Sequence, residues 1–403
     1  MRYYNVEDYA NTSPLGISVS QRIKATGGTF TLNHSLSWLH EFSRNANSYS
    51  TTPVFLSYTQ SLMDGRKSMR FENRIQQLQK EHEERACVYT IAAEQESWAL
   101  ALVDACINGE RLSLAEKDTV LADSLASIAT KQMQLGRLTA LEHSEIALQK
   151  VDAHLQRATA LADYEESVRI LTAKTNADGD VQTDVLSVDV LPNEMSYQEV
   201  TEYVSRFNPF LSSQRLEMES ASYKRYTAKR STRFNADISV SYGLNQYATS
   251  FADAYRHPAQ CQTVNLTLQI PVFQWGINRN KRVMAENTLA MTQISQQGKE
   301  EELQETMHSL VMAYNHTRRT LDMTEQRCVL ARQRVDAAVM QFAYGKVSAK
   351  DVATIERDAL ESTRAYLTAK REIFAAYCAL RTISLFDFVA NQPVSAQLSR
   401  FSI

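Results

Sequence analysis

The chain has 403 residues, and its 43 Lys and Arg against 46 Asp and Glu give a formal net charge of -3, which argues against a nucleic-acid-binding protein. It contains no apolar run of 18 or more residues and has a mean hydropathy of -0.36, which argues against membrane-spanning helices. Eleven Gly and seven Pro are few for this length and leave long stretches in which a helix can continue. The five Cys have no C-x-x-C spacing and are interpreted as single thiols packed in or beside helices.

Apolar and polar residues alternate in the region 13–63, which predicts a β-hairpin. A short alternation at residues 15–19 precedes Gly27-Gly28, and two longer ones flank a turn rich in Ser and Asn. The polar partners are Ser, Thr and Asn with almost no Lys or Glu, which favours a hydrated lumen over a free solvent face. From alternation alone, an ordinary soluble hairpin is the alternative. The apolar members are Leu15, Ile17, Val19, Phe30, Leu32, Leu36, Trp38, Val54, Leu56 and Tyr58.

Residues 66–134 contain no Pro and one Gly, Gly109, which predicts a single long helix. Its apolar residues step by three and four and form a narrow, heptad-like seam that is typical of a coiled coil. A tip turn at 135–139, a return helix over 139–175 and an acidic equatorial linker at 176–194 follow. The seam residues are Leu121, Leu125, Ile128 and Leu135.

The second half of the chain repeats this order. The sequence predicts a helix over 196–232, a β-hairpin over 234–273, a long helix over 278–343, a tip turn at 344–348, a return helix over 348–388 and a tail at 389–403. Gly65 and Gly276 are 211 positions apart, and Gly136 and Gly345 are 209 positions apart. The near-equal offsets predict a tandem duplication, with a first structural repeat at 1–192 and a second at 195–403.

Helix lengths support this reading. An outgoing helix of about 69 residues spans roughly 100 Å, and the two return pieces together span roughly 110 Å. The outgoing and return legs therefore match, with the linker near the middle of the return leg. The seam of the second long helix comprises Leu303, Met307, Leu310, Tyr314, Ala331, Val335, Ala338 and Phe342.

Three short stretches carry a resemblance to a known family. Ile270–Gly276 is similar to a strand-to-helix junction of Pro, two apolar residues and Gly, and Asn208-Pro209 is similar to the start of a helix that leads toward a barrel. Tyr344-Gly345, followed by Ser348 and Asp351-Val352, is similar to a periplasmic tip turn. In this order the stretches resemble the outer membrane efflux protein family, the TolC-like channels.

The resemblance implies a mainly α fold, in which long antiparallel coiled-coil helices form a periplasmic tunnel. It also implies a homotrimer in which each chain gives four transmembrane β-strands to a 12-stranded barrel in the outer membrane. The function implied is passive exit of substrates in a tripartite efflux or type I secretion system, with a periplasmic adaptor protein linking the channel to an inner-membrane pump. The resemblance implies no enzyme activity, no cofactor and no nucleic acid.

The resemblance also implies site residues. Gly136, Leu138, Gly345 and Val347 are expected at the periplasmic tip, where the adaptor docks. Asp351 is the candidate for a constriction, where three copies would form an anionic ring that favours cations; alternatively its carboxylate only offsets a helix dipole. Gly65, Pro271 and Gly276 are expected at the strand-to-helix junctions. Trp38, Tyr58, Tyr242 and Trp275 fit either interfacial aromatic girdles or ordinary packing.

The chain departs from the family pattern at several points. Ser61 stands where the second repeat has Pro271, and Leu141-Glu142 stands in place of Asp351-Val352. The segment Met1–Asp8 contains no apolar core of a signal peptide, and no first NP-led helix precedes the first hairpin. The expectation is therefore a misassigned start or a truncated gene product, with the localisation taken from the family.

Two other function classes stay open from the sequence. One is a soluble or periplasmic coiled-coil interaction protein of the adaptor kind, and the other is a truncated chain that neither inserts nor trimerises. His40-Glu41 and His82-Glu83-Glu84 lack the spacing of metal ligands and are interpreted as solvated charges. No phosphate-binding glycine loop or nucleophile elbow is present in the sequence.

Overall fold

The structure is a computed structural model that describes residues 10–42, 45–63, 65–175, 186–272 and 274–398. Residues 176–185 of the predicted linker, 399–403 of the predicted tail, and 43, 44 and 273 of the predicted hairpins lie outside these ranges, as does Met1–Asp8. The strands are β1 (Ala10–Arg22), β2 (Thr29–Glu41), β3 (Ala46–Ser61), β4 (Asn235–Ala248), β5 (Ala259–Gln269), β6 (Phe386–Asp387) and β7 (Gln392–Pro393). The helices are α1 (Gly65–Gln134), α2 (Ala140–Thr175), α3 (Tyr197–Phe207), α4 (Pro209–Ser231), α5 (Ile277–Ala343), α6 (Ala349–Ser384) and α7 (Val394–Leu398).

The chain divides into two compact units. The first, here called the sheet unit, consists of Met1–Glu81 and Ser212–Gln297, and the second, the helical unit, consists of His82–Leu211 and Gly298–Ile403. Each unit therefore draws on both halves of the chain, and the division passes through α1, α4 and α5. The prediction of a mainly α fold is confirmed, because long helices make up most of the described residues.

The sheet unit contains one antiparallel sheet with the strand order β1-β2-β3-β4-β5. Four strands per chain were expected, and the fifth is β1, which pairs with β2 from Arg22↔Thr29 to Ala10↔Glu41. The reason is that residues 15–19 share the two-residue period of β2, while Gly27 adopts a positive φ of 76° and closes the turn between the two strands. The sheet of one chain therefore has one strand more than the four that each chain was expected to give to a barrel.

The helical unit is held together by several small clusters and not by one large core. Its largest cluster joins α3, α5 and α6, with Val200, Tyr314, Ile373 and Leu380 fully buried. The predicted seam residues Met307, Val335, Ala338 and Phe342 are buried as expected. Leu135 is exposed instead, because α1 ends one residue before it.

The segment expected as one helix over 196–232 forms two helices, α3 and α4. Pro209 has no backbone N–H and disfavours a helical conformation at the residue before it, so Asn208 is extended with ψ 136°. The Asn208 side chain satisfies both sides of the break: its Oδ1 accepts from the Phe210 N–H at 2.8 Å, and its Nδ2 donates to the Ile383 carbonyl at 2.7 Å. Asn208 is buried, so these hydrogen bonds fix α3, α4 and α6 at one point.

The return helix α6 ends at Ser384 and not near residue 388. Leu385 adopts a left-handed conformation with φ 52°, which stops the helix. The strand β6 follows at once and pairs with β7, so part of the predicted tail has regular structure. Within the described ranges, no helix combines the length and apolar character needed to cross a bilayer.

A buried ion pair joins α1 and α6 in the helical unit. Lys370 Nζ lies 2.5 Å from Glu110 Oε1, and the two side chains are only 3% and 16% exposed. The neighbouring pair of Arg371 and Asp104 also lies at 2.5 Å, but its side chains are 45% and 37% exposed. Removing one partner of a buried pair leaves an uncompensated charge, whereas an exposed pair contributes little.

We predict that Lys370→Met lowers the free energy of unfolding by about 3–5 kcal/mol, because the Glu110 carboxylate is left buried and unpaired. The double variant Lys370→Met/Glu110→Gln should recover most of that loss. Arg371→Met is the matched control and should cost less than about 1 kcal/mol. Denaturant unfolding followed by circular dichroism measures all three, and equal losses for Lys370→Met and Arg371→Met would contradict the assignment.

Candidate functional site

The five-stranded sheet has one apolar face and one hydroxyl face. The register places Ser20, Thr31, Ser57, Ser241 and Thr263 in a single row across all five strands. The adjacent row, on the opposite face, contains Gln21, Phe30, Tyr58, Val240 and Val264. In this part of the sheet the alternation of each strand is in phase with that of its neighbours, so the polar side chains lie on one side. Beyond the register shifts at Asn33/Ser35 and Thr51/Phe55 the rows are mixed, as in the row of Leu36, Thr51 and Gln246.

The apolar face of the sheet is not buried. Phe30, Val240 and Val264 are 39%, 42% and 69% exposed, while the hydroxyl row contains both half-buried residues, such as Thr31, and exposed ones, such as Ser20. The hydroxyl side chains hydrogen-bond along their face: the Thr59 hydroxyl donates to Ser239 Oγ at 3.4 Å, and the Ser241 hydroxyl donates to the Thr263 carbonyl at 3.4 Å. A water-soluble sheet packs its apolar side chains against a core; the apolar face of this one has no such cover.

The connection between β4 and β5 is fastened to the sheet. It contains a short 3₁₀ helix, Asp253–Tyr255. The buried Thr51 hydroxyl donates to the Ala254 carbonyl at 2.5 Å, and the Tyr255 ring stacks on the His34 ring with centroids 6.1 Å apart. This loop is therefore an ordered part of the sheet unit.

The two strand-to-helix junctions are built differently. At the second, Trp275 and Gly276 have positive φ angles of 45° and 83°, so a left-handed pair precedes α5. At the first, an added Cβ on Gly27 would lie 2.3 Å from the backbone of Gly65 and Arg66, so the two glycines permit close backbone approach. The sequence placed Gly65, Pro271 and Gly276 at junctions, and that is where they lie, but Gly65 and Gly276 act in different ways.

The turns after α1 and α5 have the same hydrogen-bond pattern. Gly136 and Gly345 have φ angles of 62° and 69°. In the first turn the Gly136 N–H donates to the Met133 carbonyl and the Arg137 N–H to the Gln132 carbonyl, and in the second the corresponding residues do the same at 2.9 Å each. Both are Schellman motifs, which satisfy the last carbonyls of a helix and require a left-handed residue.

The return helices α2 and α6 both begin with a capping box. The Glu142 N–H donates to Thr139 Oγ1 at 3.3 Å, while the Thr139 N–H donates to the Glu142 carboxylate at 2.9 Å. The Asp351 N–H donates to Ser348 Oγ at 3.2 Å, and the Ser348 hydroxyl donates to the Asp351 carboxylate at 2.7 Å. Hydrogen bonds from the backbone and side chain of Thr139 lower the pKa of Glu142.

The capping boxes correct the alignment of the two repeats. Glu142 corresponds to Asp351, and Thr139 to Ser348, both at an offset of 209, the same offset as that of Gly136 and Gly345. Aligning Leu141-Glu142 with Asp351-Val352 is therefore wrong by one residue. An acidic residue three positions after the cap is present in both turns.

The predicted tip residues divide into buried and exposed ones. Leu138 and Val347 are half-buried against a cluster that contains Leu125, Ile146 and Phe342, so they contribute to the packing of the turns. The exposed apolar residues at the turns are Leu135, Leu141 and Tyr344, at 68%, 78% and 81% exposure. The sequence pattern assigned Leu135 to a helix seam and none of the three was proposed as a contact residue, although their positions near Gly136 and Gly345 could have indicated it. The Gln132 side chain ties the turns together by donating to the Phe342 carbonyl at 2.9 Å.

Two carboxylates face each other between α1 and α6. Desolvation, together with the nearby Asp118 charge, raises the pKa of Glu356 to about 7. Desolvation also raises the pKa of Asp118, against the opposing effect of Arg332 and Lys117. Asp336 lines the same cleft. Ionised Glu356 is therefore destabilising in the folded state, because neither desolvation nor the neighbouring carboxylate favours its charge.

We predict that stability falls as pH rises from about 4.5 to about 7. In this window the folded state keeps the Glu356 proton that the unfolded state has released, so raising the pH favours unfolding. Glu356→Gln should raise the thermal midpoint at pH 8, by an amount equivalent to roughly 1–3 kcal/mol, and the gain should shrink toward pH 4.5. Glu361→Gln on the same helix is the control, and a gain independent of pH would contradict the prediction.

In the described part of the chain, no three His, Cys, Asp or Glu side chains converge as metal ligands. His40 Nδ1 lies 2.8 Å from Asn47 Oδ1 in the neighbouring strand. The hydrogen bonds of the turns and the sheet close turns or join strands. The described residues form no arrangement of nucleophile, base and oxyanion donor.

Comparison with known proteins gives this geometry a family context. Residues 206–384 match the family model described as outer membrane efflux protein. The chain carries an outer membrane efflux protein domain. That domain begins within α3, includes the Asn208-Pro209 break and the junction at Gly276, and ends with α6.

Solved structures show that the efflux-domain fold extends over nearly the whole chain. VceC of Vibrio cholerae, an outer membrane protein, is 13% identical with a TM-score of 0.67, over 93% of this chain and 86% of that one. The outer membrane channel CmeC of Campylobacter jejuni is 11% identical with a TM-score of 0.69, over 97% and 80%. The MtrE outer membrane channel of Neisseria gonorrhoeae, in its open state, is 12% identical with a TM-score of 0.65, over 93% and 80%. No curated protein sequence matches the chain.

Proposed function

We propose that this chain is the protomer of an outer-membrane channel that gives substrates a passive exit in a tripartite efflux or type I secretion system. The observation that carries the proposal is the sheet itself, in which one side presents exposed apolar residues and the other a row of hydroxyl groups across all five strands. An apolar face in lipid and a hydroxyl face on water is the arrangement of a transmembrane barrel wall. The outer membrane efflux domain supports the same conclusion.

The sheet alone cannot enclose a lumen, so the proposal includes a homotrimer. Four strands from each of three chains would form a 12-stranded barrel and remove the open sheet edges. The helical unit supports association as well: Leu141, Leu148 and Leu155 of α2 recur every seven residues and are 78%, 61% and 64% exposed. A heptad seam of this kind needs a neighbouring helix.

The matching helices and turns support a tandem duplication as the origin of this protomer. The outgoing helices α1 and α5 have 70 and 67 residues, and the return helices α2 and α6 have 36 each. The same Schellman turn and capping box join each pair. The proposed repeats are 1–192 and 195–403.

A periplasmic adaptor is the proposed partner of the two turns. Gly136, Gly345, Leu138 and Val347 would fix the shape of the docking surface, while Leu135, Leu141 and Tyr344 would supply its apolar contacts. The adaptor would connect the channel with an inner-membrane pump, which would provide the energy.

We predict that Tyr344→Ala and Gly345→Val leave trimers intact but weaken adaptor docking. The first removes an exposed ring, and the second places a β-branched residue at φ 69°, which strains the turn. Binding of purified trimers to the immobilised adaptor measures the effect, with drug resistance as the cellular readout. Met323→Ala, which truncates another exposed side chain of α5, is the control. Variants that form trimers and still give full docking and resistance would count against this surface.

Asp351 is the proposed constriction residue, and its place in the capping box is a competing role. We predict that Asp351→Asn lowers the preference of single channels for cations over anions, because three carboxylates would be lost from one ring. Glu142→Gln changes the equivalent cap in the other turn and serves as the control. If both variants shift the reversal potential equally, or neither does, Asp351 acts only as a cap.

The decisive test of the function is assembly and conductance. The protein, expressed behind a secretion signal, should be recovered from the outer-membrane fraction as a detergent-stable trimer and should open channels in planar bilayers. A soluble monomer that binds a pump would favour the coiled-coil adaptor alternative. A protein found only in inclusion bodies would favour the non-inserting fragment.

A further inference from the structure

The outer edge of β2 is covered by β1, and the way it is covered points to a second copy of this chain. All neighbouring strands in the sheet are antiparallel, so β1, β3 and β5 run in one direction and β2 and β4 in the other. In a ring of identical chains about one axis, β5 of one chain would meet the free edge of the next chain. Beside β1 it would run parallel, and beside β2 it would run antiparallel.

Whether each chain contributes an odd or an even number of strands decides which edge can close a ring. Bacterial outer-membrane barrels have an even number of antiparallel strands, and an odd number per chain would place a parallel seam at every chain boundary. Four strands per chain, β2 to β5, avoid such seams. The strand β1 must then leave the edge of β2 when chains associate.

The strand β1 resembles β5 in pattern and direction. Leu15, Ile17 and Val19 alternate with small residues in β1, as Val264, Leu266 and Leu268 alternate with Asn265 and Thr267 in β5. Both apolar triplets lie on the apolar face, since Val19 pairs with Leu32, and Leu266 pairs with Ile238. The strand β1 therefore pairs with β2 in the same antiparallel direction, and with the same alternation of apolar side chains, as β5 of another copy would.

The strand β1 is held mainly by its backbone ladder with β2, which runs from Ala10 to Arg22. Every residue from Asn11 to Arg22 is exposed, and in the described structure no side chain from Asn11 to Ser20 makes a hydrogen bond to the sheet. Pro14 donates no ladder hydrogen bond, and Gly16 offers no side chain. Only Arg22, at its end, forms an ion pair, with Glu72 at 2.5 Å.

The turn after β1 is fixed, which gives the strand a hinge. Thr26 accepts a hydrogen bond from the Tyr58 hydroxyl at 2.8 Å through Oγ1, and one from the Gln60 side chain at 2.9 Å through its carbonyl. Gly27 lies against Gly65. The chain can therefore detach up to about Gln21 without breaking the Arg22–Glu72 ion pair or the hydrogen bonds of the turn.

We propose that β1 is an internal placeholder for β5 of a second copy, and that the edge of β2 is the surface on which that copy's β5 binds when β1 is released. The placeholder covers an open, apolar strand edge while the chain is monomeric and so limits uncontrolled edge-to-edge pairing. This inference rests on the proposed function, because it assumes that the chains close a barrel.

The test is to lock β1 in place. In a background with the five native cysteines replaced by Ala, Val19→Cys/Leu32→Cys should form an intrachain disulfide, since these residues are register partners. Leu56→Cys/Tyr242→Cys is the matched control, since it links β3 to β4, which stay paired in either state. Trimer formation in lipid vesicles is then compared for oxidised and reduced protein.

The expected result is that oxidation reduces trimer formation of the β1–β2 pair to background and that reduction restores it, whereas the control pair trimerises equally in both states. Equal trimer formation by the oxidised β1–β2 pair, or failure of that disulfide to form in monomers, would overturn the inference. If neither the control pair nor the reduced proteins form trimers, the proposed function fails, and the inference fails with it.

A second measurement detects the exchange directly. Protein with Leu32→Cys is mixed with protein carrying Val264→Cys, Leu266→Cys or Leu268→Cys, and crosslinks between copies are expected for at least one of these positions on the apolar face. Thr267→Cys, on the hydroxyl face, is the control and should not link. Ile17→Pro, which weakens β1, should speed trimer formation, and no crosslink at any of the three positions, or slower assembly of Ile17→Pro, would overturn the inference.

Discussion

The open hydrogen-bonding edge of β5 is the constraint on which the sheet unit depends. Substitution can adapt a surface side chain to water or to lipid, but it cannot remove the backbone N–H and C=O groups of a strand edge. These groups must hydrogen-bond to water or to another strand. Around this edge the strands present hydroxyl groups on one face and exposed apolar groups on the other. If the apolar face meets lipid, water cannot satisfy the edge, and pairing with another strand is the remaining solution. The proposed trimer therefore follows from backbone chemistry as well as from the efflux protein domain that the chain carries.

The helical unit achieves order with little buried surface. Its helices are long and thin, and its clusters are small, so much of its specificity lies in how the helices end. Each of the two turns combines a glycine in the left-handed region with a capping box on the next helix. Together these satisfy the exposed carbonyls of the outgoing helix and the exposed N–H groups of the return helix. The turns are closed by these backbone and capping hydrogen bonds and by the packing of Leu138 and Val347, which leaves Leu135, Leu141 and Tyr344 exposed and available for a partner.

The sequence allowed most of the helical fold to be predicted, because its signals are local. The seams and the absence of Pro identified the helices α1 and α5, and the glycines at 136 and 345 identified the turns that follow them. The strand β1 was underestimated because Pro14 and Gly16 weaken its local propensity, and only its pairing with β2 makes it a strand. Lys370 and Glu110 are 260 positions apart, so no spacing rule could join them. The break at Pro209 was not predicted for a different reason. Proline is known to disfavour a helical conformation at the residue before it, but the predicted helix over 196–232 was continued across Pro209.

The divergence of the two strand-to-helix junctions follows from the presence of the β1–β2 turn. At the first junction that turn supplies a surface: Gly27 packs on Gly65, and the Ser61 hydroxyl accepts a hydrogen bond from Arg230 at 3.0 Å. A proline at position 61 could not accept that bond. The second hairpin follows α4 in the chain, and its junction with α5 contains Pro271 and the left-handed pair Trp275 and Gly276. The two junctions therefore obtain a defined conformation by different means: the first through packing against a neighbouring turn, and the second through its own backbone conformation.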